Sequence, residues 1–149
     1  MENLKPELFD NEVYVEFMSD SVNEGLARMI VSAFTLPLNP SLEEMADLKT
    51  AVSEAVTNAI IHAYSEGVGI VKMHLGRRER VVFIDVSDEG CGIRDIKQAM
   101  EPLFTTREDI DRSGMGFAFM EAFTDELSVE SIPGKGTVIH MQKIISDKE

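Results

Sequence analysis

Glu54 and Asn58 stand four residues apart in the run EAVTNAIIHAY, and theirs is the first spacing in the chain with chemical content. On a helix, side chains four residues apart project from the same side. The amide oxygen of Asn58 is a hard ligand suited to Mg2+, and the carboxylate of Glu54 can accept a proton from a hydroxyl or a water beside a phosphate. Taken alone, the pair also fits an ordinary solvent-facing polar stripe. His62, one further step along, reads as structural.

Two later blocks bear on that choice: DEGCGI, beginning at Asp88, and RSGMGF, beginning at Arg112. A carboxylate at a strand end, as expected for Asp88, suits the exocyclic amine of adenine, and Gly90 and Gly92 allow backbone to come close to the base. By itself, D-E-G is also a common turn after a strand. Gly114 and Gly116, on either side of Met115, are expected to open a helix whose first amides hold anionic oxygens, with Ser113 just before them. Arg112 is then suited to stabilise charge on a γ-phosphate. The competing account makes it a surface ion-pair residue beside two loop glycines. The polar stretch PLFTTREDIDRSG reads as a lid that orders over bound nucleotide, with Thr105, Thr106 and Arg107 as its contacts. No G-x-x-x-x-G-K-[ST] occurs, so this is not a P-loop. The order and spacing of the three blocks together point to ATP or ADP with Mg2+.

The elements that must position these residues follow from periodicity. Glu12 to Met18 alternates through Val13, Val15 and Phe17, which predicts a strand with one buried face. Ser21 with Glu24, and Ser41 with Glu44, give capping-box patterns for two helices, one running to about Phe34 and the other to about Tyr64. On the second helix, Val52, Ala55, Val56, Ala59, Ile60 and Ala63 share the core-facing arc. Strands are predicted at about Ile70–Leu75 and Arg80–Ser87 around a turn at Gly76 to Glu79. A short helix near Asp95 to Met100 and another from about Gly114 to Thr124 follow. The last strands, about Glu126–Ile132 and Thr137–Ile145, flank the turn PGKG. The fold class is α+β in two layers, a mixed, mostly antiparallel sheet with helices on one face.

Composition narrows the function classes. The 149 residues, 44% hydrophobic and 28% charged, fit one domain over 1–149. The net charge of −13 works against nonspecific nucleic-acid binding. Acidic residues from Glu7 to Glu24 read as a solvated surface. No apolar run approaches the roughly 20 residues of a membrane span, and the N-terminus MENLKPELFD lacks the pattern of a secretory signal. A cytoplasmic protein is expected. The one cysteine, Cys91, fills a loop position between glycines.

From Glu12 to about Ile144 the chain resembles the GHKL ATP-binding superfamily. The resemblance implies the Bergerat fold, with Glu54 and Asn58 in the N-box, Asp88, Gly90 and Gly92 in the G1 box, and Gly114 and Gly116 in the G2 box. Thr137, in the GKGT that resembles the family's last adenine-site element, becomes a secondary nucleotide contact. Relatives built like gyrase or mismatch-repair ATPases need a further transducer domain, and histidine kinases need a dimerisation segment bearing the accepting histidine. The length leads to the compact anti-sigma serine kinases as the expected subgroup. VSEAVTNAIIHAY, PLFTTREDIDRSGMGF and the following ME-x-F-x-D are especially similar to those of sporulation. The general stress anti-sigma kinases are less similar.

That resemblance implies a homodimer that holds sigma factor F away from RNA polymerase and phosphorylates a serine of a small anti-anti-sigma protein. Glu54 would be the base, Asn58 the Mg2+ ligand, Asp88 the adenine acceptor and Arg112 the γ-phosphate stabiliser. Arg28, in EGLARM, matches a partner-contacting position and reads otherwise as a surface arginine. The acidic N-terminal surface would steer a basic patch of the sigma factor. Ala63 departs from the glycine expected after the histidine. A rival reading stays open: a sequestering module gated by ATP that transfers phosphate slowly to water, since Glu54 serves either acceptor.

Overall fold

Alternating apolar residues along five segments build one sheet. The computed structural model describes residues 8–64, 67–101 and 116–147. In chain order the elements are β1 (Asn11–Met18), α1 (Asn23–Thr35), a 3-10 turn (Leu36–Leu38), α2 (Leu42–Thr57), a π-helical segment (Asn58–Ala63), β2 (Ile70–Arg78), β3 (Val81–Asp88), α3 (Ile96–Ala99), α4 (Gly116–Phe123), β4 (Glu126–Ile132) and β5 (Gly136–Ile144). The sheet order is β1-β2-β3-β5-β4. Among the described residues every pairing is antiparallel, where a mixed, mostly antiparallel sheet was expected.

One face of the sheet carries Val71, Met73, Leu75, Val82, Ile84, Val86, Ile139 and Met141, all buried. The helices meet it with Ala27, Val31, Leu48, Ala51, Val52, Ala55, Val56 and Met120 in a single core cluster. Burying a Val, Leu, Ile or Met is worth about 1.5–3 kcal/mol, against about 0–1 for an exposed ion pair. The apolar face therefore holds the two layers together.

The opposite face is polar. His74 on β2 pairs in register with Asp85 on β3, which pairs with His140 on β5. Glu12 of β1 reaches His74 Nε2 at 2.6 Å, and Glu130 of β4 reaches His140 Nε2 at 2.9 Å. Tyr14 stacks on His74 with centroids 4.2 Å apart. A cavity of about 510 Å³ on this face is lined by Tyr14, Lys72, His74, Asp85, Glu130 and His140 among others. The sheet separates it from α2.

The two capping-box expectations divide. At α2 the box forms: Glu44 N–H donates to Ser41 Oγ at 3.0 Å and Ser41 N–H to Glu44 Oε1 at 2.8 Å. At α1 it does not; Val22 is the cap residue, and its N–H is taken by Asp20 Oδ1. Glu24 turns instead to the Thr57 hydroxyl of α2. That tertiary hydrogen bond ties α1 to α2 one residue before Asn58.

Two boundaries also shift. The β2–β3 hairpin closes through Glu79 and Arg80, with Glu79 at φ 54°, rather than through Gly76. Gly76 stays inside β2, where the Phe9 ring covers it. The second helix leaves α geometry at Asn58, and Tyr64 N–H reaches back five residues to Ala59 O at 3.3 Å. Such widened turns occur often at functional sites.

Candidate functional site

β3 delivers Asp88 to the end of the sheet, opposite Thr137 of β5. Both side chains are buried, Asp88 at 8% exposure. Asp88 Oδ1 accepts the Gly90 N–H at 2.9 Å. Burial pushes the Asp88 carboxyl above its ordinary value, and the N–H groups of Gly90 and Thr137 pull it back only in part. A carboxylate carries about four acceptor sites, so capacity remains for an N–H donor such as an exocyclic amine. An acceptor of this kind is chemically suited to the exocyclic amine of adenine.

The loop after Asp88 is held from both sides. A Cβ at Gly90 would lie 2.4 Å from Ala63 O, and one at Gly92 the same distance from Ile132 O. Gly92 also has φ +75°, a conformation that favours glycine. The closest approaches at these two glycines are thus to protein backbone. Cys91 contributes its main chain: its N–H donates to Ala63 O at 3.1 Å, and its carbonyl accepts Gly134 N–H at 2.7 Å. The loop is clamped between the end of the π-helical segment and the β4–β5 hairpin.

Thr137 Oγ1 lies 2.8 Å from Ser131 Oγ, which accepts the Ile93 N–H at 2.7 Å. Ser131 went unnoticed in the sequence. Its signal was a hydroxyl at the core-facing parity of β4, directly opposite Thr137.

The part of the chain expected to meet the phosphates involves α2 and α4. Glu54 and Asn58 are both partly buried and lie at the end of α2. A Cβ at Gly116 would stand 3.3 Å from Glu54 Oε2. The start of α4 therefore sits beside the Glu54 carboxylate, and the structure brings these two residues together. The expected contacts Thr105, Thr106, Arg107, Arg112, Ser113, Gly114 and Met115 lie outside the described residues.

Among the described residues no group of three His, Cys, Asp or Glu forms a metal-ligand set. An Mg2+ held by Asn58 would take its other oxygens from nucleotide phosphates and water, the usual arrangement for this ion. The residues present fit Mg-nucleotide in that sense.

Arg28 is partly buried and donates to Ser53 Oγ at 3.0 Å, which lays its guanidinium along α2. The acidic surface read from Glu7 to Glu24 is less free than the sequence suggested. Asp10, Glu12, Asp20 and Glu24 each accept a hydrogen bond within the fold.

Comparison with known proteins gives one consistent result. The family of the histidine kinase-like ATPase domain matches residues 18–143. The anti-sigma F factor of Caldanaerobacter subterraneus subsp. tengcongensis is 52% identical over 137 residues, covering 92% of this chain and 96% of that protein. The anti-sigma F factor of Clostridium kluyveri is 48% identical, covering 93% and 98%. That of Bacillus licheniformis is 46% identical, covering 91% and 94%. A solved structure of the RsbU and RsbW domains of Rv1364c from Mycobacterium tuberculosis superposes with a TM-score of 0.67 at 17% identity. It covers 93% of this chain, which spans 33% of that longer chain; the likeness is one of fold.

Proposed function

The chain belongs to the anti-sigma F factor family of histidine kinase-like ATPase domains, and we propose that it is an ATP-dependent anti-sigma factor acting as a partner-switching serine kinase. In this reading it binds sigma factor F and keeps it from RNA polymerase. It also phosphorylates a serine of a small anti-anti-sigma protein. The observation that carries the reading is near full-length identity of about half to anti-sigma F factors.

The roles follow from chemistry. Asp88 accepts the adenine amine, with Thr137 as its neighbour. Asn58 supplies one oxygen to Mg2+, and Glu54 accepts the proton of the incoming serine hydroxyl. Gly116 leaves room beside Glu54, and the first turn of α4 is suited to anionic oxygens. Arg112 would stabilise charge on the γ-phosphate, with Ser113, Gly114, Met115, Thr105, Thr106 and Arg107 as the further nucleotide contacts expected from the sequence. Mg2+, when bound, would supply charge neutralisation at the nucleotide. We further propose a cytoplasmic homodimer that uses Arg28 to contact its partners. Among the described residues no helix is long and apolar enough to cross a membrane.

Incubation with labelled Mg-ATP, sigma factor F and the anti-anti-sigma protein tests the reading. Label on a serine of the anti-anti-sigma protein supports it. Release of free phosphate alone would sink the kinase and favour a sequestering ATPase, because Glu54 can activate water equally well. Glu54→Gln should keep nucleotide affinity and lose transfer.

A further inference from the structure

Tyr64 closes the π-helical segment and touches three parts of the fold at once. Its hydroxyl accepts the Glu89 N–H at 2.6 Å and donates to Ile70 O at 3.0 Å. Its ring fills the space over Gly69, where a Cβ would fall 2.3 Å from Cε1. Burial pushes the phenol above its ordinary value of 10.0, and the charges of Asp88 and Glu89 add to that rise. The hydroxyl therefore keeps its proton at neutral pH and can donate to Ile70 while accepting from Glu89.

The Glu89 N–H belongs to the peptide that links Asp88 to Glu89, so the hydrogen bond fixes the backbone torsion on the C-terminal side of Asp88. The next peptide contributes the Gly90 N–H to Asp88 Oδ1. The main chain repeats the link, since Cys91 N–H donates to Ala63 O. The helix end that receives these bonds continues directly from Asn58 and Glu54.

We propose that Tyr64 is a positioning residue for base recognition: its hydroxyl sets the orientation of the Asp88 carboxylate and ties it to the helix bearing Glu54 and Asn58. The proposal rests on the reading of Asp88 as the adenine acceptor. Phenylalanine at 64 would keep the ring over Gly69 and remove only the hydroxyl, which isolates the effect. A single hydrogen bond of this kind is worth about two- to tenfold in an equilibrium constant.

The test uses the full chain as parent, Tyr64→Phe, Asp88→Asn and the double variant, with equilibrium binding of ATP and of inosine triphosphate. The latter carries an oxygen in place of the exocyclic amine. Tyr64→Phe should weaken ATP about two- to tenfold and leave inosine triphosphate unchanged. In the Asp88→Asn background the same substitution should have no effect. Equal weakening of both nucleotides, or additive effects in the double variant, overturns the positioning role and marks Tyr64 as a general support of the fold. If Asp88→Asn itself leaves the preference for ATP intact, the base-site reading fails instead. Amide exchange at Glu89 gives an independent check: protection in the parent supports the bond, and free exchange refutes it.

Discussion

His140 Nδ1 lies 2.7 Å from Asp85 Oδ1, and the same ring presents Nε2 to Glu130 at 2.9 Å. Ionised carboxylates only accept, so both contacts are hydrogen bonds together only when the imidazole is protonated, and the geometry favours that form. Burial disfavours that charge, but the hydrogen bonds to Glu130 and Asp85 outweigh it and hold the pKa above 6.5. A folded-state pKa above the unfolded value means stability that is fully present below 6.5 and lost as pH rises through the raised value. His140→Gln should therefore be less stable than the parent in mildly acidic buffer, with the gap closing in alkaline buffer. Thermal midpoints across that range check it. A gap that does not change with pH would show that the imidazolium contributes nothing.

Asp88 has the same sign in a lower pH window. Its carboxyl is raised from 3.8 by burial, so its contribution to stability is fully present below 3.8 and is lost as pH rises through the raised value. Relative to the parent, nucleotide-free Asp88→Asn should become progressively more stable from acid to neutral pH, while its ATP affinity falls. Denaturation midpoints and nucleotide titrations, done on the same samples, report both. Parallel stability curves would show that Asp88 ionises without cost.

Glu44 has the opposite sign from both. Burial alone would raise it, yet the hydrogen bonds from Ser41 and Ser146 lower it from 4.5 to about 2. Its contribution is present above 4.5 and disappears as pH falls through about 2. Ser41→Ala should cost about 0.5–2 kcal/mol at neutral pH, the range for loss of an N-cap. Glu44→Gln should flatten the acid limb of the stability curve. Acid unfolding followed by circular dichroism measures both, and an unchanged acid limb would exclude Glu44 as a contributor.

Thr35 is buried, and its Oγ1 has no hydrogen-bond partner among the described residues. An unsatisfied buried hydroxyl costs about 1–3 kcal/mol. Thr35→Val, which keeps the shape, should raise the denaturation midpoint. A fall of similar size would mean the hydroxyl is bonded in solution.

Much of this was legible in the sequence where the cause is local. The alternation of Val13, Val15 and Phe17 placed β1, and Ser41 with Glu44 placed the start of α2. The same S-x-x-E pattern misled at Ser21, because Glu24 finds Thr57, 33 residues away, and no local pattern encodes that partner. Gly76 drew the expected hairpin turn toward itself, although a ring from Phe9 occupies the space its missing side chain leaves. The widened turn at Asn58 was hidden for a related reason. Periodicity gives EAVTNAIIHAY one continuous helix, whereas the end of that run meets Gly90 and Cys91 in the loop after β3. Asp88, Gly90 and Gly92 could be grouped in the sequence because they fall within one short run. Ser131 and Tyr64 could not, since their bonds to Ile93 and Glu89 span 38 and 25 residues.

The polar row across the open sheet face has a consequence for how the strands find each other. Moving a strand by two positions leaves its apolar side chains on the same face, so hydrophobic alternation cannot distinguish that arrangement from the native one. The row can. With β5 displaced by two residues, Asp85 would face Val138 or Gln142 instead of His140. An acid would then lose its imidazole, and Glu130 would lose the other side of the same ring. Each pair contributes little to stability, but all are matched in only one alignment. Glu12, His74, Asp85, His140 and Glu130, one from each strand, thus act as an alignment key for the whole sheet.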